Sequence, residues 1–223
     1  MRGNGPPPAR GRRREDSLSS VTMAGRTTLS EVQEGAVRAA LVHFSYRDRL
    51  LVLMGLHTGF RIHELLSITV AQVWDGGRVR AQLQVARGRM KGGSGERRRA
   101  VCSRTVPLHP VVVGALQEYL EDRVYEGTCR PDALLFQSRQ GGAALGRLQA
   151  NRILEAVFAR AGLQGAGVWG SHSLRKTFAR RVYDRSGHDL ELTRAALGHR
   201  NIGTTQRYLA TSEEAAAAAI LAL

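Results

Sequence analysis

A mainly α-helical fold carrying one small antiparallel β-hairpin is the architecture this sequence predicts, and three patterns predict it. Apolar residues recur at helical spacing through most of the chain, as in Leu174, Phe178, Ala179 and Val182. Only one stretch, Val79 to Val106, alternates instead: Val79, Ala81, Leu83 and Val85 fall on one face, and Arg80, Gln82 and Gln84 on the other. Glycine, proline and serine punctuate the helical stretches at intervals that suit short connections.

The elements follow in chain order. Ser30 and Gln33 form a capping box for a helix ending near His43. A strongly apolar helix runs from about Arg47 to Leu56 and is broken by Thr58-Gly59. Arg61 opens a short helix with Glu64 on the same face at i, i+3, which on composition alone reads as a surface ion pair. In the alternating stretch, Gly92-Gly93-Ser94-Gly95 supplies the turn, with Val101 and Val106 flanking the return strand. An amphipathic helix from His109 to Tyr125 follows Pro107 and Pro110, then a short buried strand at Leu134-Leu135-Phe136, then a helix from Arg147 to Ala161 closed by Gly162. The helix beginning near Ser171 breaks at Ser186-Gly187. Asp189 caps the next, Leu190 to Leu197, which Gly198 ends. Tyr208 lies in a short helix after a turn at Gly203, and 213–223 reads as a terminal helix that is apolar at its end.

Charge narrows the class of partner. The 223 residues carry a formal net charge of +14, and 43% are hydrophobic, enough for a sizeable core. Residues 1–27, rich in Pro, Gly and Arg, read as a disordered basic tail, and their six arginines against Glu15 and Asp16 leave +10 on the rest. The folded part is therefore basic in its own right, and nucleic acid is the first partner to expect. No apolar run follows the arginines and none is long enough to span a bilayer, so neither a signal peptide nor a membrane segment is expected. Cys102 and Cys129 are too few for a disulfide framework or a four-ligand zinc site, and a reducing cytoplasm is the expected compartment. Arginine supplies nearly all the positive charge, since Lys91 and Lys176 are the only lysines.

Chemistry concentrates between Ser171 and Tyr208. His172 and Arg175 stand three apart on one helical face, His199 follows a glycine-ended helix, and Tyr208 lies nine residues further on. Two histidines, two kinds of cation and a tyrosine without a metal-ligand cluster suit attack on a phosphodiester by a side-chain hydroxyl.

These residues resemble the tyrosine recombinases, the family of phage integrases and Xer-type recombinases. The matching pieces are Thr58-Gly59-Phe60-Arg61-Ile62-His63-Glu64-Leu65-Leu66, His172-Ser173-Leu174-Arg175-Lys176-Thr177-Phe178-Ala179, Leu197-Gly198-His199 and Thr204-Thr205-Gln206-Arg207-Tyr208-Leu209. They occur in family order across roughly residues 30 to 212, and the resemblance implies that 28–212 is a catalytic domain with the tyrosine recombinase fold. It implies Tyr208 as the nucleophile of a 3′-phosphotyrosyl intermediate, Arg61 and Arg175 as neutralisers of the non-bridging oxygens, and Glu64 as the acid that orients Arg61. A guanidinium suits that task because it stays charged and offers a fork of donors. His172 is the expected base, Lys91 the general acid for the leaving 5′ oxygen, and His199 a donor to the scissile phosphate. Neither metal nor other cofactor is expected. Lys176 stands where the family usually carries a histidine, next to the catalytic arginine and outside the main six.

The expected substrate is double-stranded DNA. Arg87, Arg89, Arg97, Arg98 and Arg99 crowd the hairpin as expected phosphate contacts; Arg147, Asn151, Arg152, Lys176 and Arg207 are further DNA-facing candidates. In similar recombinases the last helix docks into the adjacent protomer, which implies exchange of 213–223 within a homo-oligomer, a dimer per site and a tetramer in synapsis. Such recombinases also carry an N-terminal DNA-clamping domain, so the tail, the oligomer or an accessory protein is expected to add grip. Two other functions share the fold: a DNA-binding regulator without chemistry, and DNA relaxation of the type IB topoisomerase kind.

Overall fold

The computed structural model describes residues 27–86, 103–138, 143–164, 168–209 and 221. It is mostly helical, with α1 (Glu31–Ala40), α2 (Tyr46–Thr58), α3 (Ile62–Leu65), α4 (Val70–Val73), α5 (Pro110–Tyr125), α6 (Arg147–Arg160), α7 (Ser171–Arg185), α8 (Leu190–Leu197) and α9 (Ile202–Leu209). Between α4 and α5, β1 (Gln82–Val85) and β2 (Arg104–Pro107) pair antiparallel, Leu83 opposite Val106 and Val85 opposite Arg104.

Helix starts follow side-chain chemistry. Ser30 Oγ accepts from Gln33 N at 3.2 Å while Gln33 Oε1 accepts from Ser30 N at 2.9 Å, the reciprocal pair that satisfies two orphan donors of α1. Asp189 Oδ1 accepts from Leu192 N at 2.9 Å at the start of α8. At the other end of α8, Gly198 adopts a left-handed conformation (φ 63°), as a residue without a Cβ can at little cost.

Helix α2 is the centre of the molecule. Leu50, Leu51, Val52, Leu53, Met54 and Leu56 are all buried, so the helix is apolar on every side, as befits an element covered by neighbours rather than one facing solvent. Helices α5 and α7 cover it. The α2–α7 contact is close because two glycines four residues apart meet two bulky residues four apart. A Cβ on Gly55 would stand 2.6 Å from Leu174 Cδ1, and one on Gly59 would stand 2.2 Å from Phe178 Cδ1. The φ of 59° at Gly59 also ends the helix there.

Three details differ from the sequence expectation. Leu134 to Phe136 is not a strand: Leu134 and Gln137 make isolated bridges to Thr69 and Ala144, with Leu135 and Phe136 fully buried between them. The single-turn helix α4 was not expected; Thr69 N donates to Gln72 Oε1 at 2.9 Å, a local cap that a strongly apolar neighbourhood hides. Arg61 lies one residue before α3, as its N-cap.

Candidate active site

The C-terminal end of α2 presents carbonyls that have no intrahelical donor, and arginines satisfy them. Arg175, projecting from α7, donates through Nη1 to Gly59 O and through Nη2 to Leu197 O, the last at 2.9 Å. One guanidinium thus joins the C-terminal ends of α2 and α8, where the helix dipoles favour a cation. This is why a charged side chain with 1% exposure can stand in the core. Burial first and Arg61 second draw Arg175 down to about 10, so it remains charged at neutral pH.

Glu64, fully buried, is the anion at the centre. Its Oε1 receives Arg61 Nη1 at 3.1 Å, its Oε2 receives Arg61 N at 2.7 Å, and Oε2 lies 3.9 Å from Arg175 Nη1. The pair expected at the surface is therefore one whose acid has no exposure at all, while the Arg61 side chain keeps 26%. That asymmetry leaves one face of Arg61 for a ligand.

His199 follows the left-handed Gly198 and is turned inward, 3% exposed. Arg175 Nη2 lies 3.0 Å from Nε2, and Thr205 Oγ1 lies 3.0 Å from Nδ1. Arginine only donates, so Nε2 is the lone-pair nitrogen, and the ring proton is on Nδ1 and donates to Thr205. Burial, then Arg175 and Arg61, hold His199 neutral by lowering it to about 3. The ring of Tyr208 on α9 stands edge-on to His199, with centroids 5.2 Å apart and planes at 65°. The Arg175 guanidinium lies 5.8 Å from the Tyr208 ring centre.

The structure thus gathers Arg61, Glu64, Arg175, His199 and Tyr208 from four separate parts of the chain: the start of α3, α7, the residue after Gly198, and α9. His172 is exposed on the first turn of α7, one turn before Arg175. Lys91, Arg87, Arg89, Arg97, Arg98 and Arg99 lie outside the described residues. Arg147 and Arg152 are exposed and Asn151 half-buried on α6; Lys176 is half-buried on α7; Arg207 is exposed on α9. Among the described residues, no group of three or more His, Cys, Asp and Glu is placed to hold a metal, and no helix is long and apolar enough to cross a membrane. A cleft of about 660 Å³ beside Phe44, Arg47 and Tyr119 includes none of the gathered residues.

Sequence reasoning missed Arg104 and Thr205. Arg104, 6% exposed on β2, donates to Thr58 O and to Gly59 O and lies over the Phe60 ring at 4.4 Å. A signal was present: alternation that turns Val106 inward turns Arg104 inward too. Thr205, the buried residue of α9, carried no such signal beyond the paired threonines.

This arrangement of helices recurs in the crystal structure of XerA recombinase, with a TM-score of 0.67 and 25% identity over 86% of this chain and 62% of that one. The fold is that of a tyrosine recombinase catalytic domain. The chain belongs to the phage integrase family, whose description matches residues 28–215, a family of tyrosine-type DNA strand transferases. It is 28% identical over 194 residues to the Bacillus subtilis (strain 168) protein described as "Probable integrase/recombinase YoeC", covering 86% of this chain and 92% of that protein. It is 32% identical over 168 residues to tyrosine recombinase XerD of Rhizobium meliloti (strain 1021), covering 75% of this chain and 48% of that one. The chain spans about half the length of that XerD.

Proposed function

We propose that this protein is a site-specific DNA recombinase that cuts and rejoins DNA through a 3′-phosphotyrosyl intermediate. The observation that carries this reading is the placing of Tyr208 beside His199 and Arg175, with Arg175 tied in turn to Glu64. The Tyr208 hydroxyl oxygen attacks the scissile phosphorus, its proton passes to His172, and the bond to the 5′ oxygen breaks as Lys91 protonates that oxygen. Arg61 and Arg175 neutralise the non-bridging oxygens of the five-coordinate transition state, where forked donors in a water-poor site are strongest. Glu64 holds Arg61 in place. His199 serves the phosphate by fixing the Arg175 fork; in the arrangement described Nε2 accepts from Arg175 and Nδ1 donates to Thr205, so direct donation from Nε2 to phosphate requires both that the Arg175 contact be exchanged and that the ring proton move to Nε2. The free 5′ hydroxyl later attacks the phosphotyrosine of another strand, so the bond energy is conserved through the exchange.

The basic arginines are assigned to phosphate contacts on double-stranded DNA. XerH site-specific recombinase, which has the same fold, was captured "bound to difH substrate", in keeping with a recombination substrate as the ligand proposed here. The assembly on DNA is proposed as a dimer per site and a tetramer in synapsis, with 213–223 exchanged between protomers, an accessory protein adding grip, and the cytoplasm as the compartment.

The test uses purified protein and Tyr208→Phe, incubated in EDTA with nicked duplex DNA from the region flanking the gene. A detergent-resistant protein–DNA adduct with the native protein alone is expected. Binding without any adduct would leave a regulator, whereas an adduct with relaxation and no four-way junction would favour the topoisomerase reaction.

A further inference from the structure

Arg104 lies outside the catalytic set that the matching motifs define, yet it has the most unusual environment of any arginine beside that set. Its guanidinium shares the Gly59 carbonyl with Arg175, so two cations converge on one acceptor. Its other nitrogen reaches Thr58 O, and its plane covers the Phe60 ring, immediately before Arg61 in the chain. Burial, then Arg175, draws it down to about 9, with Glu64 acting the other way. Arg104 Nε and Arg175 Nε are both buried without a hydrogen-bond partner among the described residues. An unsatisfied buried donor is destabilising, and a buried set of charges replaced whole by well-packed apolar side chains often loses no stability. Capping the end of α2 explains a donor to Thr58 O here, but not a second guanidinium brought onto the carbonyl that Arg175 already occupies.

We propose that Arg104 is a positioning residue for strand transfer: by holding the Thr58 and Gly59 carbonyls it fixes the Gly59 oxygen on which Arg175 is hung, and so aims Arg175 and His199 at the phosphate. The fork matters because one side chain must reach two successive carbonyls while stacking on Phe60, which an ammonium group does not do. Beginning β2 opposite Val85, Arg104 also fastens the loop-side end of the β1–β2 pair to the C-terminal end of α2. Its positive charge acts on His199 with the same sign as those of Arg175 and Arg61. Displacing it frees Arg175 to leave Nε2 of His199. The role rests on the tyrosine chemistry proposed above.

The test compares wild type with Arg104→Met and Arg104→Lys, using three readouts: His199 ring resonances followed against pH by NMR, affinity for nicked duplex, and the rate of adduct formation. Wild-type His199 is expected to stay neutral down to about pH 4. In Arg104→Met its titration is expected to move to higher pH, and adduct formation to fall by about 100-fold, the scale of an ångström-sized misplacement, with affinity unchanged. Arg104→Lys is expected to restore most of the titration and little of the rate. Wild-type titration of His199 in Arg104→Met, or a rate lost only in proportion to unfolded protein, overturns the proposal. Should Arg104→Met not fold, Phe60→Leu is measured instead, where a smaller shift of His199 in the same direction is expected and no shift overturns it. Absence of an adduct from the wild type would sink the tyrosine chemistry alone, and the His199 titration would still decide the role of Arg104.

Discussion

His57 and His199 are both held neutral inside the protein, and for related reasons. His57 Nε2 accepts from Arg38 Nη2 at 2.8 Å, and burial, then Arg181, lowers it to about 3, as His199 is lowered. Both folded values lie below the ordinary 6.5, so the unfolded chain binds protons that the folded one excludes. Their stabilisation is present above about pH 6.5 and is lost as pH falls toward 3, by up to about 1.4 kcal/mol per pH unit for each histidine. His57→Gln keeps a neutral acceptor for Arg38 and removes one titration. Its urea-unfolding free energy is expected to fall less steeply than the wild type's between pH 6.5 and 4, and parallel curves would refute the assignment. Of the gathered site, the residues with fixed short spacing were legible in the sequence: Arg61 with Glu64, and His199 with Tyr208. Arg175 was legible beside His172, but what holds it was not, because the carbonyl that it shares with Arg104 lies 116 residues from Arg175 and 45 from Arg104 along the chain, and nothing local encodes such a meeting.

At the scale of elements, the site depends on how closely α7 approaches α2. Gly55 and Gly59 admit Leu174 and Phe178, and this closeness brings the Arg175 guanidinium to the Gly59 carbonyl. Gly55→Ala is expected to cost about 1–3 kcal/mol by overpacking and Leu174→Ala about 2–5 kcal/mol by leaving a cavity. The pair together should cost less than the sum of the two, because the new methyl group enters the space the leucine vacates. Denaturant unfolding of the four proteins measures this, and strict additivity would mean that the two helices do not meet where described. Helix starts and stops were the most legible level of the fold, since Ser30, Asp189 and Gly198 act on residues three or four away. The extended segment at Leu134 to Phe136 was misread as a strand because burial was visible in its composition, while the absence of a continuous partner was not.

For the whole molecule, the formal charge of +14 is a statement about association. Affinity for duplex DNA is expected to fall by about 100-fold or more between 50 and 200 mM salt, the behaviour of a protein held mainly by phosphates. A fluorescence-anisotropy titration at several salt concentrations gives the slope, and a flat response would remove electrostatics as the main grip. The mainly helical class with one hairpin was legible from periodicity over the whole chain, because period is a property of residue order alone. How Tyr208 is fastened was not. Helix α9 buries Thr205, whose hydroxyl meets His199, while Tyr208 stays half-buried; Arg175 and Arg61 are held instead by the C-terminal ends of α2 and α8 and by Glu64 of α3. On the proposed function the two sets of anchors differ, and His199 is what joins them, through Thr205 on one side and Arg175 on the other. On that proposal, a lineage that lost the Thr205 hydroxyl would slacken the joint between blade and handle before it lost either.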